Sequence, residues 1–289
     1  MNASGITARI RARAFGIASL VVRRASFVSR VYAAVWRVWL AVRGTSHSVT
    51  VGDAAAVFRT TTRSEYVRAT SMGGERHVVR AFLDEVGEGD VVWDVGACIG
   101  TYACLAADHG AHVVAVEPEP ANHSRLRENL ARNTSTDRWT ATPVALADRD
   151  GHARLRSDFQ ETGSGHHYLA PESLESVDTE SQPAPEANST DRTLSVASGD
   201  TLVRRGIPSP DVIKMDVQGA EHVVIDGLSE TLDDVRAVFV EVHSDKCRRY
   251  DCAAETVAPT LERLGFTVDR LDPPRTNRGG VRFLRAIRP

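Results

Sequence analysis

Lysine is almost missing from this 289-residue chain: it occurs only at Lys214 and Lys246, so arginine supplies nearly all the positive charge. Genome composition and a salt-rich cytoplasm both produce such a bias. Cysteine is scarce too, at Cys98, Cys104, Cys247 and Cys252, and never in Cys-x-x-Cys spacing. That excludes a zinc ribbon and predicts buried, reduced thiols in an intracellular protein. No apolar run is long enough to cross a bilayer, because Arg23, Arg24, Arg30 and Arg37 interrupt residues 6–43. No small-residue cleavage site follows that stretch, so it is not a secretory leader. Internal repeats are absent. An acidic body, with neither an Asn/Asp-Pro-Pro-Tyr motif nor a basic aromatic groove, argues against nucleic acid as a partner.

The net charge of −3 hides an asymmetry. Residues 1–52 hold eight arginines and no acid, which leaves about −11 on the remainder. Within 6–43, Arg23, Arg30 and Arg37 recur every seven residues. Leu20, Phe27, Val28, Val31, Val35, Val38, Trp39 and Val42 fall opposite them. Two readings of this basic amphipathic segment (1–45) stay open. One is a helix resting on anionic lipid with Phe27, Trp36 and Trp39 at the boundary, giving a cytoplasmic protein peripheral to the inner membrane face. The other is a helix packed on the protein's own body. Residues 46–289 then form one α/β domain, opened by a hairpin over 46–72 and a helix over 74–88.

The domain is organised around Val91-Val92-Trp93-Asp94-Val95-Gly96-Ala97-Cys98-Ile99-Gly100. This reads as a buried parallel strand, a glycine bend and a helix beginning near Thr101. A second strand, His112–Val116, ends in Glu117-Pro118, where a carboxylate accepts hydrogen bonds from ribose hydroxyls. Cys98 and Thr101 occupy positions where a dinucleotide fingerprint needs glycine, and no Gly-Lys-Ser/Thr follows. A ribose-bearing cofactor without a phosphate remains, and S-adenosylmethionine fits. Thr140–Leu146 is the third strand expected, bringing Asp148 toward the adenine or into a surface turn.

Residues 158–192 are rich in Ser, Pro, Glu, Thr and Asp and read as a mobile insertion, most disordered over 172–191. His166 and His167 within it read as solvated, and Gly163–Tyr168 as a lid over the substrate. Asp200 is expected to cap a short helix. Next comes Val212-Ile213-Lys214-Met215-Asp216-Val217-Gln218-Gly219-Ala220-Glu221, a buried strand meeting a glycine turn and a helix over 220–232. Lys214 and Asp216 share one side of that strand, as costly groups do when they serve a site. A fifth strand, Val235–Val242, delivers Glu241 and His243 to the same edge. A helix over 254–265 and a final hairpin, 266–271 with 281–287, complete the chain.

Five motifs, Asp94–Tyr102, Val116–Pro120, Ala145–Asp148, Ile213–Glu221 and Glu241–His243, resemble the FkbM family of S-adenosylmethionine-dependent methyltransferases. The resemblance implies the class I, Rossmann-like fold, a mostly parallel seven-stranded sheet with helices on both faces, here with an N-terminal helical extension. It also implies O-methylation of a hydroxyl on a sugar, glycan or small-molecule acceptor. By likeness, Gly96 and Gly100 shape the cofactor loop, Glu117 binds ribose, and Asp216 and Glu221 belong to an acidic motif at the fourth strand; the cofactor-binding set expected is Asp94, Gly96, Ala97, Cys98, Gly100, Tyr102, Glu117, Pro118, Asp148 and Asp216. Catalysis falls to His243, Asp216 and Lys214, with His243 or Asp216 as general base. Cys98 and Gln218 depart from the asparagine and glutamate usual in the family, and Gln218 removes a charge. No metal is expected; an ion bridged by Asp216, Glu241 and His243 is the lesser variant. The competing class is a membrane-associated binding module that retains the fold without turnover, which cofactor binding would discriminate.

Overall fold

The structure, a computed structural model, describes residues 31–32, 34–36, 38–157, 161–175, 191–271 and 280–289. Helix α1 covers the described residues of 31–43. A hairpin follows, β1 (Ser46–Val51) and β2 (Ala54–Arg59), then helices α2 (Arg63–Ser71) and α3 (Arg76–Leu83). The central run is β3 (Val91–Val95), α4 (Thr101–Asp108), β4 (His112–Val116), α5 (Pro120–Asn133) and β5 (Trp139–Thr142). A smaller layer is built from β6 (Ala145–Leu146), β7 (Gly151–Ser157), β8 (His167–Leu169), α6 (Pro171–Glu175) and β9 (Arg192–Ala197). After α7 (Gly199–Arg204) come β10 (Val212–Met215), α8 (Glu221–Asp226), β11 (Ala237–His243), α9 (Ser244–Cys247), α10 (Val257–Arg263), β12 (Thr267–Arg270) and β13 (Val281–Ile287).

Seven strands form the main sheet in the order β12-β13-β11-β10-β3-β4-β5. All pairings are parallel except those of β13 with β11 and β12. Side-chain alternation divides each central strand between two cores. Val92 and Val113 join a cluster with Phe82, Leu105 and Leu126 of α3, α4 and α5. Trp93, Val95 and Ile213 join one with Val224 of α8 and Leu261 of α10. Helices therefore cover both faces, as a parallel sheet with near-continuous apolar strands requires. The sheet reverses its winding between β3 and β10, and their carboxyl ends open there into one crevice.

Several expectations change. The third strand is split: β5 stays in the main sheet, Pro143 interrupts the ladder, and β6 pairs with β9 in a four-stranded sheet, β6-β9-β7-β8. Proline lacks the N–H a central strand needs. Helix α8 stops at Asp226, before Gly227, whose α-carbon is pressed so closely on the Ala147 carbonyl that a Cβ would overlap it. Ser198, not Asp200, caps α7 by accepting from Thr201 N at 3.1 Å. Asp200 instead accepts from Thr231 N at 2.8 Å and ties down the loop after α8. Helix α2 was not foreseen, although its capping box is complete: Thr62 Oγ1 accepts from Glu65 N, and Glu65 accepts from Thr62 N.

The stretch expected to be mobile is partly ordered. Residues 161–175 contain β8 and α6, because Leu169 and Leu174 bury against Ala153 and Leu155 of β7. Residues 158–160 and 176–190 lie outside the described residues, as do Leu20, Arg23, Phe27, Val28, Arg30 and Arg37 of the N-terminal pattern.

Candidate active site

The glycine bend after β3 forms the floor. Gly96, Cys98 and Gly100 have φ of 75°, 52° and 88°, all in the left-handed region. Gly96 N and Ala97 N both donate to Val116 O, at 2.9 and 3.0 Å, which pins the bend to the end of β4. A Cβ on Gly96 would overlap the Asp216 carbonyl oxygen, so only glycine lets the ends of β3 and β10 meet. At the end of β4, Glu117 accepts from Cys98 N at 2.8 Å with one oxygen and from Glu119 N at 2.9 Å with the other. Its burial pushes the carboxyl pKa up to about 7, against the opposing pull of those two N–H groups.

The opposite wall rises from β10 and β11. Gln218, at φ 59°, donates from Nε2 to Asp216 Oδ1 at 2.5 Å and to His243 Nε2 at 3.1 Å, while its Oε1 accepts from Lys246 Nζ. A glutamate could make neither donation, so the amide at this position binds the two neighbours together. His243 Nδ1 stands 3.4 Å from Glu221 Oε1, a fully buried carboxylate that also accepts from Gly219 N at 2.9 Å. The partners select the tautomer with hydrogen on Nδ1 and the Nε2 lone pair toward the cavity. Burial lowers the imidazole pKa, but the Glu221 contact and the charges of Asp216 and Glu241 outweigh it, and the net shift is upward. Burial and the neighbouring Asp216 push Glu241 upward as well.

Two contiguous cavities lie between these walls, sharing Ser164, Gly165, Asp216 and Gln218. The inner one offers about 60 Å³ and is lined by Gly96, Cys98, Glu117, Pro118, Ala145, Leu146 and Leu155, with Tyr168 and Leu169 above. The outer one measures about 750 Å³ and is lined by Arg63, Arg68, Glu75, Glu241, His243 and Lys246 among others. Residues 161–169 roof the inner cavity. Thr62 Oγ1 donates to Thr162 O at 2.7 Å, Asn122 Oδ1 accepts from Gly163 N at 2.8 Å, and Tyr250 Oη donates to Leu169 O at 2.8 Å. Arg68 Nε donates to Gly163 O at 3.2 Å, and the guanidinium lies so close to Gly165 that a Cβ there would overlap it. No carboxylate among the described residues lies within ion-pair distance of Arg68, which lines the outer cavity.

Of the expected cofactor residues, Gly96, Cys98, Glu117, Pro118 and Asp216 line the inner cavity. Ala97 serves through its backbone, and Gly100 allows α4 to close on Leu126. Asp94, Tyr102 and Lys214 sit behind the wall. Asp94 Oδ2 accepts from Ala103 N at 3.1 Å, its Oδ1 is 3.3 Å from Lys214 Nζ, and that ammonium lies 5.0 Å over the Tyr102 ring. Lys214 therefore stands in a buried ion pair beneath the crevice, outside both the inner and the outer cavity. Asp148 is not brought in: it is 36% exposed, paired with Arg149 at 3.1 Å, and the backbone before it supplies Ala145 and Leu146 instead. His243, Asp216 and Glu241 do come together, with potential ligand atoms within 4.8 Å of one another. The Gln218 amide nevertheless contacts two of the three. Arg68 was missed as a site residue, whereas Ser164, His167 and Tyr168 fall within the Gly163–Tyr168 stretch expected as a lid and line the inner cavity. The Thr62-x-x-Glu65 box could have located the helix carrying Arg68.

The model of the Methyltransferase FkbM domain matches residues 94–268. The chain is 34% identical over 213 residues to the hexuronic acid methyltransferase AglP of Haloferax volcanii, covering 72% of this chain and 80% of that one. It is 30% identical over 202 residues to the 31-O-demethyl-FK506 methyltransferase FkbM of Streptomyces tacrolimicus, covering 64% of this chain and 75% of that one. A crystal structure of a methyltransferase FkbM from Methylobacillus flagellatus aligns with a TM-score of 0.46 at 14% identity, over 72% of this chain and 46% of that one.

Proposed function

This chain belongs to the FkbM methyltransferase family, and on that premise we propose that it methylates a hydroxyl of a sugar-bearing acceptor with S-adenosylmethionine as donor. The observation that carries the reading is the meeting, in one crevice, of a buried carboxylate at 117, a Cβ-free bend at 96 and the Asp216–Gln218–His243 cluster. The residues fit an adenosyl group. Glu117 presents a carboxylate for ribose hydroxyls, Gly96 leaves room beside the Asp216 carbonyl, and Ala145, Leu146 and Leu155 offer an apolar slot for a base. Once bound, the donor supplies an electrophilic methyl group on a sulfonium.

The chain's own groups divide the remaining work. His243 Nε2 takes the acceptor hydroxyl proton, and Glu221 holds the Nδ1–H side of the ring. An incoming hydroxyl first displaces the Gln218 amide from Nε2. Asp216 balances positive charge at the junction of the two cavities. Arg68 offers its free N–H groups to the donor's carboxylate, while the outer cavity holds the acceptor. The inner cavity, at about 60 Å³, is far below the several hundred Å³ a ligand of this size needs, so the roof at 161–169 lifts to admit the donor. The acceptor class follows the relatives' names, hexuronic acid among them.

Isothermal titration with S-adenosylhomocysteine, followed by transfer of labelled methyl groups to a panel of uronic and neutral sugars, tests this. Absence of cofactor binding would remove the reading and favour a binding module without turnover. Binding without transfer to any sugar would remove only the acceptor class.

A further inference from the structure

Helix α1 turns two apolar faces in opposite directions. On one, Leu40 is only 1% exposed, and Trp36 and Trp39 lie against Tyr66 with ring centroids 6.0 and 5.2 Å apart. On the other, Val31, Val35, Val38 and Val42 are 46%, 60%, 65% and 83% exposed. Their spacing of four, three and four residues aligns them in one stripe, with the half-exposed Tyr32 beside it. A surface helix ordinarily sends its apolar residues inward and polar ones outward. Here the tryptophans and Leu40 already occupy the inward face, and the valines are the exposed ones.

The sequence that carries the stripe has charge of one sign. Residues 1–52 contribute eight arginines and no acid, and Arg43 lies 5.2 Å over the Trp39 ring at the end of the helix. A second copy of the chain is a poor occupant. Among the described residues the only other exposed large apolar side chain is Val57, and stripe against stripe would bring two arginine-rich segments together. An apolar stripe within an arginine-rich, acid-free stretch of sequence matches the boundary between anionic headgroups and acyl chains.

We propose that α1 docks the protein on an anionic lipid surface, with Val31, Val35, Val38 and Val42 immersed. The inward face of α1 borders the outer cavity: Arg63 lines that cavity and lies 5.9 Å over the Trp36 ring. An acceptor carried at the bilayer surface is then delivered to the cavity mouth. That consequence rests on the acceptor reading above; the docking does not.

The test is co-sedimentation of the full-length protein with vesicles of phosphatidylglycerol and phosphatidylcholine, or of phosphatidylcholine alone, comparing wild type with Val35→Glu/Val38→Glu. Wild type should partition to the anionic vesicles at least about tenfold more strongly than to neutral ones, and the double variant should lose at least about tenfold of that binding. Both proteins should keep the same S-adenosylhomocysteine affinity and melting temperature, which separates lost docking from lost fold. Wild type remaining in the supernatant overturns the proposal, and is the result expected if residues 1–30 cover the stripe. So does a variant that binds as wild type, or one that dissociates a dimer in sedimentation equilibrium without vesicles.

Discussion

Glu117→Gln removes one negative charge while keeping the side chain's volume, and its consequences for donor binding can be worked from the structure. In the wild type both carboxylate oxygens already accept a backbone N–H, from Cys98 and Glu119. Ribose hydroxyls would add hydrogen bonds to the charged form, each contributing about 1.5–3 kcal/mol. Losing one weakens S-adenosylhomocysteine binding by about tenfold to a hundredfold. The pH dependence is the sharper readout. Burial holds Glu117 near a pKa of about 7 in the free protein, and ribose hydroxyls favour the ionised form, so binding releases a proton. Affinity then falls as pH falls through 7, about tenfold between pH 8 and pH 6, while the glutamine variant is flat across that window. Stability gives a control with its own sign. A pKa raised from 4.5 to about 7 is stabilising below 4.5, and that contribution is lost as pH rises through 7. At pH 8 wild type therefore bears a penalty of about 3 kcal/mol that the variant escapes. The variant leaves one backbone N–H without an acceptor, at about 1–3 kcal/mol, so the two melt within a few degrees of each other. Titration calorimetry across pH decides the matter. Equal affinity for the two proteins, or the same pH slope in both, refutes the assignment of Glu117 to the ribose.

Other expectations follow from the same geometry. His243→Gln should lower kcat by about 10²–10⁴-fold with little change in S-adenosylhomocysteine affinity. In wild type the acid limb of kcat should lie above pH 6.5, the upward direction set by Glu221, Asp216 and Glu241 against burial, and should vanish in the variant. Arg68→Gln should weaken S-adenosylhomocysteine by about tenfold or more while leaving 5′-methylthioadenosine, which lacks the amino-acid carboxylate, unchanged; equal losses for both ligands would make Arg68 structural. Lys214→Met strands the buried Asp94 charge, so denaturant titration should show a loss of about 3–5 kcal/mol; an unchanged midpoint would contradict the ion-pair role. Exhaustive chelation should leave turnover unaltered, because the Gln218 amide already contacts Asp216 and His243; activity lost to EDTA and restored by a divalent ion would reverse that.

Local chemistry determined a good deal of this protein in advance. An apolar run into Asp94-Val95-Gly96, a carboxylate at the next strand end and Asp216 at a third are legible because parallel strands place their last residues along one edge whatever else surrounds them. The same alternation made Glu241 and His243 readable as one face of β11. What depended on tertiary structure was decided by partners distant in sequence. Residues 161–169 are polar and glycine-rich, which reads as a mobile insertion with a lid at 163–168, but Thr62, Arg68, Asn122 and Tyr250 supply hydrogen bonds that no nearby residue signals. Lys214 sits at a strand end like a catalytic group, but Asp94, 120 residues earlier in the chain, claims its charge beneath the crevice. Asp148 follows the expected motif, but Pro143 diverts its strand to another sheet and leaves it in solvent. Chain order gives the residues at a strand's tip, whereas the direction of a side chain and the charge it answers are set only once the folded chain brings its neighbours within a few ångströms.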